Sequence, residues 1–399
     1  MNLTKQILFT DTFGAGGIST NVVALASYFT SPDDLPIIVP LSSVKHGTGV
    51  WEFSSKIAKI YTVWTLIKFL MMSKRSNYVF FVNSARTLLV AYFIFFLSLQ
   101  KKHAIKIVFC VYHPSEFSAT GYWCSIYRWL VCTVGPKNIF FMNGACFAEH
   151  SAMCSADSVE SRLLPLAIPN YSVSNHKLLD IKKRSILTVG RFVGFKLHYM
   201  RALLRCALIR PEYNFYFAGY GDGAIELEAF VKDNKLNNVV FLGNVEYAKL
   251  NSLYEDAACY VGMGTTLVEA ASAGTPCIVA IAGMPGDVCY GFFVNQTEYD
   301  MGEFRKNKPV QSLTGCIDHL LTLDSEESIL ISKQHRDFSK KFGVDVIGPV
   351  YLRLCESANE TYCNFKAVAI WCGFIVATVV YYSVWMMSRK KSRYDKSYL

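Results

Sequence analysis

The sequence predicts two doubly wound α/β domains in tandem, a class in which parallel strands alternate with helices. Short β-rich runs alternate with helical lengths in the first part of the chain, at 7–9, 78–82, 105–111 and 139–141. The alternation stops at a polar stretch and restarts with β-rich runs at 185–189, 214–218, 239–242, 258–261 and 277–281. The length of 399 residues also exceeds what one hydrophobic core usually accommodates.

These patterns predict the limits of each part of the chain. We expect an N-terminal Rossmann-like domain at 1–170, which faces a membrane or the molecule that accepts the transferred group in the function predicted below. A linker is expected at 171–184. A C-terminal Rossmann-like domain is expected at 185–345, and a crossover helix at 346–360.

The stretch at 365–387 is long and apolar enough to span a bilayer. It has no charge after Lys366, carries Trp371 and Trp385 near its ends, and is followed by a basic tail at 388–399. We therefore predict a transmembrane or membrane-embedded segment. A buried core helix is the alternative, but the polar face of such a helix is missing.

Positive charge is concentrated in the first half of the chain, although the net charge is only +9. Between Lys45 and Lys137 there are twelve Lys or Arg residues and two acids. The apolar segments at 57–72 and 87–99 lie in this basic region and are too short to span a bilayer. They are either core helices or helices with one face in the lipid headgroups. No nucleic-acid module is recognised, so we expect a membrane surface as the partner.

Thirteen cysteines occur without a CxxC pair, which is typical of reduced thiols. A strand-like run begins almost at the first residue, so no N-terminal signal peptide is expected. We therefore expect a membrane-associated protein with both α/β domains on the cytoplasmic face.

The most informative motif is a glycine-rich turn that opens a small-residue helix at 262–276. Gly264, Thr265 and Thr266 are placed to offer backbone N–H and hydroxyl groups to a phosphate. Glu269, one turn further, can accept hydrogen bonds from two vicinal hydroxyls. The alternative is a structural glutamate that benefits from the helix dipole.

Arg191 and Lys196 follow the first strand of the second domain. The carboxyl ends of parallel strands face the ligand crevice in such sheets, so both cations are candidates for binding a diphosphate. The alternative is that the two residues belong to a solvent-exposed loop that binds no ligand.

Two glycine loops follow other strands. Gly16 and Gly17 come after the first strand of the chain, and Gly219 and Gly221 after the second strand of the second domain. Glycine permits close approach of backbone to a ligand, although tight packing turns use it equally. All four are candidate ligand-binding residues, for the ligand that the resemblance below identifies as a donor.

In this order, the motifs resemble the C-terminal half of GT-B fold glycosyltransferases, specifically the retaining family numbered four (group 1). The resemblance extends over 186–294 and rests on Gly190-Arg191…Lys196, Gly219-Tyr-Gly221, Phe241-Leu-Gly243-Asn-Val245 and Glu269…Gly274-Thr-Pro276. It implies two domains facing a cleft, a nucleotide-sugar donor whose ribose binds Glu269, and a role in bacterial surface polysaccharide (lipopolysaccharide) assembly. A looser match in the first half implies that His113 lies near the acceptor.

One departure limits the resemblance. The first acid of the family's E-x7-E pattern would fall at Val261, so neither donor identity nor stereochemical outcome follows from it. A catalytically weakened scaffold in a polysaccharide-assembly complex and a sugar-nucleotide epimerase of similar shape are the alternatives to an active transferase.

The predicted function is transfer of a sugar from a nucleotide diphosphate to a hydroxyl of a membrane-associated, lipid-linked glycan. Arg191, Lys196 and the helix N-terminus near Thr265 would stabilise the departing diphosphate. Because fixed cations suit that task, we expect no metal and no cofactor beyond the nucleotide-sugar substrate.

Overall fold

The computed structural model describes residues 4–11, 16–29, 35–42, 57–74, 76–101, 103–116, 131, 133–153, 159–169 and 184–361. The predicted membrane segment at 365–387, the basic tail at 388–399 and nearly all of the predicted linker lie outside these residues. Across the part that is described, no helix combines the length and the hydrophobicity that a bilayer span requires.

The first sheet has six parallel strands in the order β3-β2-β1-β4-β5-β6. They are β1 (Lys5–Thr10), β2 (Ile37–Pro40), β3 (Lys59–Ile60), β4 (Asn77–Val82), β5 (Ala104–Val111) and β6 (Ile139–Phe141). The central strands are almost wholly apolar and buried, as expected for a parallel sheet covered on both faces. The accompanying helices are α1 (Gly17–Ser27), α2 (Val63–Met72), α3 (Ala85–Ser98) and α4 (Gly144–His150).

The second sheet has seven strands in the order β13-β12-β11-β10-β7-β8-β9. They are β7 (Ser185–Val189), β8 (Asn214–Ala218), β9 (Val239–Gly243), β10 (Cys259–Gly262), β11 (Cys277–Ala280), β12 (Val288–Phe292) and β13 (Gln311–Ser312). Strands β7 to β11 pair in parallel, whereas β12 and β13 are antiparallel. The helices of this half are α5 (Gly194–Ile209), α6 (Ala224–Asp233), α7 (Tyr247–Asp256), α8 (Thr265–Ser272), α9 (Leu313–Thr322) and α10 (Ser325–Ser339).

The last described helix, α11 (Val344–Ser357), returns from the second sheet to the first. Its Tyr351 is fully buried, packs edge-on against Phe81 at 5.2 Å between ring centroids, and donates to Gln6 Oε1 at 2.9 Å. Beyond the helix, the Thr361 N–H donates to the Ile105 carbonyl at 2.8 Å. The C-terminal crossover therefore packs against the first sheet and connects it to the second.

The predicted α/β class with two parallel sheets is confirmed, and the departures are local. The apolar stretch 57–72 was predicted as one helical segment, but Lys59–Ile60 form edge strand β3 before α2 begins. The backbone N–H groups of Lys59 and Tyr61 donate to the carbonyls of Pro36, just before β2, and of Ile38 within it. The Thr62 side chain then caps α2. Strands β2, β12 and β13 were not predicted.

Candidate active site in the cleft between the two sheets

A cavity of about 300 Å³ lies between the two sheets, where the carboxyl ends of their strands face each other. Its walls come mostly from the segments that follow β1, β5, β6 and β7 to β11, with one residue from the segment between β12 and β13. This is where ligands bind in doubly wound α/β domains. The fold therefore concentrates strand-end residues of both halves around one cleft.

Ten of the eleven predicted site residues line this cavity. They are Gly16, Gly17, His113, Arg191, Lys196, Gly219, Gly264, Thr265, Thr266 and Glu269. Gly221 does not line it, because its backbone packs against that of Phe192, where an added Cβ would lie 2.5 Å from the Phe192 carbonyl oxygen. Residues as far apart in the sequence as Gly16 and Glu269 therefore line one cavity, and Gly221 is the predicted residue that does not.

Arg191 and Lys196 form the positive side of the cleft. Arg191 is exposed just after β7, and Lys196 is half-buried in the first turn of α5. Burial, together with the neighbouring Arg191, lowers the pKa of Lys196 to about 8. Within the described residues neither cation forms an ion pair, so both charges are available to an anion in the cavity.

Three helices begin at the cavity and add positive potential to it. The first residues of α1, α5 and α8 lie beside it, and a helix N-terminus carries a partial positive charge. Gly17 at the start of α1 approaches α8 so closely that an added Cβ would lie 2.8 Å from Thr265 Oγ1. Helices from the two halves of the chain thus converge on one point, which suits a diphosphate.

The polar groups at the start of α8 are partly occupied by the protein itself. The Gly264 N–H donates to the Met301 carbonyl at 2.9 Å. Thr266 Oγ1 accepts from the Tyr260 hydroxyl at 2.7 Å and lies 3.3 Å from the Val189 carbonyl. The Thr266 hydroxyl therefore joins α8 to the sheet in this structure, and its contribution to donor binding stays a prediction.

Glu269 is a buried carboxylate, 3% exposed, held by two tyrosines that the sequence did not identify as site residues. The Tyr247 hydroxyl donates to Oε1 at 3.1 Å, and the Tyr254 hydroxyl donates to Oε2 at 3.2 Å. A carboxylate has about four acceptor sites, more than the two that these tyrosines use. The tyrosines therefore orient the carboxylate and leave it the capacity to bind hydroxyl groups.

His113 follows β5 on the opposite wall of the cleft. Its Nδ1 accepts from the Ser115 N–H at 3.2 Å and lies 2.6 Å from Ser115 Oγ. This places the proton of the neutral ring on Nε2. Partial burial lowers the pKa of His113, so the ring is neutral at pH 7, and its edge faces Phe195 of α5 at 6.1 Å between centroids.

One further acid lines the cavity, Glu303, which was not predicted as a site residue. Its Oε2 accepts from Asn143 Nδ2 at 2.7 Å and from the Met301 N–H at 3.1 Å. Val261, where the family pattern places an acid, is fully buried within β10 and does not line the cavity. Among the described residues, no group of three or more His, Cys, Asp or Glu side chains has the arrangement of a metal site.

Comparison with known proteins adds to this geometry. Residues 174–328 match the family model for Glycosyl transferases group 1. No curated protein has a significantly similar sequence. Among solved structures, HepE of Anabaena, in complex with UDP and glucose, is similar with a TM-score of 0.64 and 13% identity, over 89% of this chain and 100% of that chain.

Two further structures share the fold at low identity. TarM of S. aureus, in a complex with Fondaparinux, alpha-GlcNAc-glycerol and UDP, has a TM-score of 0.62 and 10% identity, over 88% of this chain and 100% of that chain. The lipopolysaccharide outer core galactosyltransferase WaaB has a TM-score of 0.57 and 14% identity, over 89% and 99% respectively. The predicted GT-B-like α/β fold and the predicted enzyme class are confirmed by these findings. The chain is a glycosyltransferase with the GT-B fold.

Proposed function

We propose that this enzyme transfers a sugar from a nucleotide-diphosphate donor to a hydroxyl of a membrane-associated, lipid-linked glycan during cell-surface polysaccharide biosynthesis. The observation that supports this proposal most directly is the composition of the cavity. It combines Arg191, Lys196 and the N-termini of converging helices with the buried carboxylate of Glu269. Cations and helix dipoles suit a diphosphate, and a carboxylate suits the two ribose hydroxyls. The UDP present in the HepE and TarM complexes supports a nucleotide donor.

The chemistry follows from where these charges stand. Departure of the diphosphate leaves oxocarbenium character on the sugar and builds negative charge on the leaving group. Arg191, Lys196 and the N-terminus of α8 are already in place beside that charge, so they stabilise the transition state more than the ground state. His113 lies on the wall formed by the other sheet, where the acceptor hydroxyl would enter. We assign no metal to this step, because fixed cations serve it.

A transfer assay tests this proposal. Radiolabelled sugar from UDP-, GDP- or CDP-linked donors is incubated with the full-length enzyme and membranes, and label in the lipid fraction is measured. Arg191→Ala and Glu269→Ala should each reduce transfer at least about tenfold, the loss expected for a hydrogen bond to a charged group. Arg201→Ala is the matched control, because Arg201 lies on α5 but pairs with Glu226 outside the cavity. Transfer that survives both cavity variants would favour the weakened-scaffold alternative, and epimerised free donor would favour the epimerase.

The membrane part of the proposal is supported by an apolar surface on α2 and α3. Trp64 and Met72 are 70% and 85% exposed, and Met71 and Lys68 lie on the same face of α2. Phe96 of the neighbouring α3 is also exposed. An aromatic and aliphatic face that includes a lysine suits an anionic bilayer surface. This surface supports association of the catalytic domains with a membrane, and we place them at its cytoplasmic face as part of the proposal.

Flotation with phosphatidylglycerol-containing vesicles tests that association. A truncation after Thr361 removes the segment at 365–387 and keeps the hydrogen bonds of Asn359 and Thr361 to the first domain. Trp64→Asp with Met72→Asp changes the α2 surface. We expect each change to reduce flotation, and the combination to abolish it. Full flotation of the combined variant would refute membrane association through these two regions.

A further inference from the structure

Glu303 lies in the cleft, and the roles proposed above leave it without a function. Its position is set by a short segment that crosses the ends of two neighbouring strands. The Met301 carbonyl accepts from the Gly264 N–H at 2.9 Å, and the Gly302 carbonyl accepts from the Ala282 N–H at 2.8 Å. Glu303 is therefore held beside the first residues of α8, where the diphosphate is proposed to bind.

Gly302 makes this placement possible. Its φ of +111° favours glycine, and an added Cβ would collide with the Ala280 carbonyl and lie 2.7 Å from Met263 Cβ. The segment is thus pressed against the ends of β10 and β11. A larger residue would move the segment, and with it the carboxylate, away from the cavity.

The carboxylate of Glu303 is held from both halves of the chain. Asn143, which caps α4 of the first domain, donates from Nδ2 to Oε2, and the Met301 N–H donates to the same oxygen. Within the described residues no cation pairs with Glu303. Burial raises its pKa, which means that the charged carboxylate costs free energy of folding. A buried acid kept at such a cost is a common sign of a functional residue.

Glu269 and Glu303 are the two acids among the residues that line the cavity, and their partners differ. Glu269 accepts hydrogen bonds from two tyrosines of the second domain, whereas Glu303 accepts one from Asn143 of the first domain. The sugar is the part of the donor that passes to the acceptor, so it must lie between the nucleotide-binding sheet and the facing sheet. Glu303 lies at that junction, where it accepts hydrogen bonds from Asn143 of the first domain and from the Met301 N–H of the second.

We propose that Glu303 binds hydroxyl groups of the donor sugar, so that it selects the donor by its sugar and not by its nucleotide. This inference rests on the proposed function, since it requires a nucleotide-sugar donor. With Oε2 held by protein donors, the carboxylate presents its remaining acceptor capacity to the sugar. Asn143 acts as a positioning residue that keeps the carboxylate at the junction of the domains.

The test compares binding of a sugar nucleotide with binding of its nucleoside diphosphate. UDP-glucose, UDP-galactose, UDP-N-acetylglucosamine and GDP-mannose are screened with the wild-type protein, and the tightest is titrated calorimetrically beside UDP or GDP. Glu303→Gln and Glu303→Ala should weaken the sugar nucleotide about tenfold to a hundredfold, as loss of hydrogen bonds to a charged group does. Both variants should bind the nucleoside diphosphate within about twofold of wild type.

Glu298→Gln is the matched control, because Glu298 lies on the same loop and binds Arg305 but does not line the cavity. It should leave both affinities unchanged. The inference is overturned if Glu303→Ala changes both ligands equally, or if Glu298→Gln reproduces its effect, since loop conformation would then be the cause. Absence of any binding by the wild type would instead refute the proposed function itself.

Discussion

Replacing Lys196 with methionine separates a role in donor binding from a role in folding. Burial beside Arg191 lowers the pKa of Lys196 from 10.5 to about 8. That difference corresponds to about 3 kcal/mol, which partial exposure reduces to about 1–2 kcal/mol. Because the folded state lowers the pKa of this base, the cost is fully present below about pH 8 and disappears as the pH rises toward 10.5. At pH 7 the ammonium therefore destabilises the free protein.

Methionine retains the apolar length of the side chain and removes its charge. For Lys196→Met we expect the unfolding temperature of the free protein at pH 7 to rise by about 2 °C or more, and this gain to shrink at pH 9.5. Affinity for UDP or GDP should fall at least about tenfold at pH 7, because a charge-assisted contact to the diphosphate is lost. Differential scanning fluorimetry and titration calorimetry measure the two effects on the same samples.

Lys232→Met is the control, since Lys232 is exposed on α6 and does not line the cavity. It should change neither the unfolding temperature nor the affinity. The reasoning would be refuted if Lys196→Met lowered the unfolding temperature while leaving nucleoside diphosphate affinity unchanged. Lys196 would then be a structural residue that the donor does not contact.

Three further predictions concern other parts of the cleft. Gly219→Ala should destabilise the protein by at least about 2 kcal/mol in thermal unfolding, since the methyl group would collide with the Gly190 carbonyl. Gly194→Ala is the control and should leave the unfolding temperature unchanged, because an added methyl group there has open space. Tyr254→Phe removes a donor to Glu269 and should weaken nucleoside diphosphate binding about fivefold in calorimetry without abolishing it. Burial lowers the pKa of His113, so sugar transfer by the wild type should decline as the pH falls below about 6.5 and this ring becomes protonated. The pH–rate profile of His113→Gln should lack this decline.

Local patterns predicted much of the second half of the chain. Arg191 and Glu269 each follow a strand end within a few residues, and parallel strands bring their ends to one edge of the sheet. The sequence distance between such motifs is therefore irrelevant to where they meet. Gly219 could be predicted in the same way, because it also follows a strand end, where only a glycine fits against the facing backbone.

The remaining features depend on contacts between distant segments. Glu303 reaches the cavity only because residues 301–303 hydrogen-bond to Gly264 and Ala282, which no local pattern reveals. Tyr247 meets Glu269 because α7 packs beside α8. The strand Lys59–Ile60 exists through its pairing with β2, although the surrounding residues read as a helix. Sequence periodicity contains none of this information.

The central claim is that the cleft binds the diphosphate of a nucleotide sugar through Arg191, Lys196 and the helix N-termini. A thermal-shift panel of UDP-, GDP- and CDP-sugars on the wild type and on Arg191→Ala tests it most directly, since a ligand specific for the folded state raises the unfolding temperature. We predict that one nucleotide class raises it for the wild type and that Arg191→Ala loses most of the increase. Equal increases in both proteins, or no increase with any nucleotide sugar, would contradict the claim.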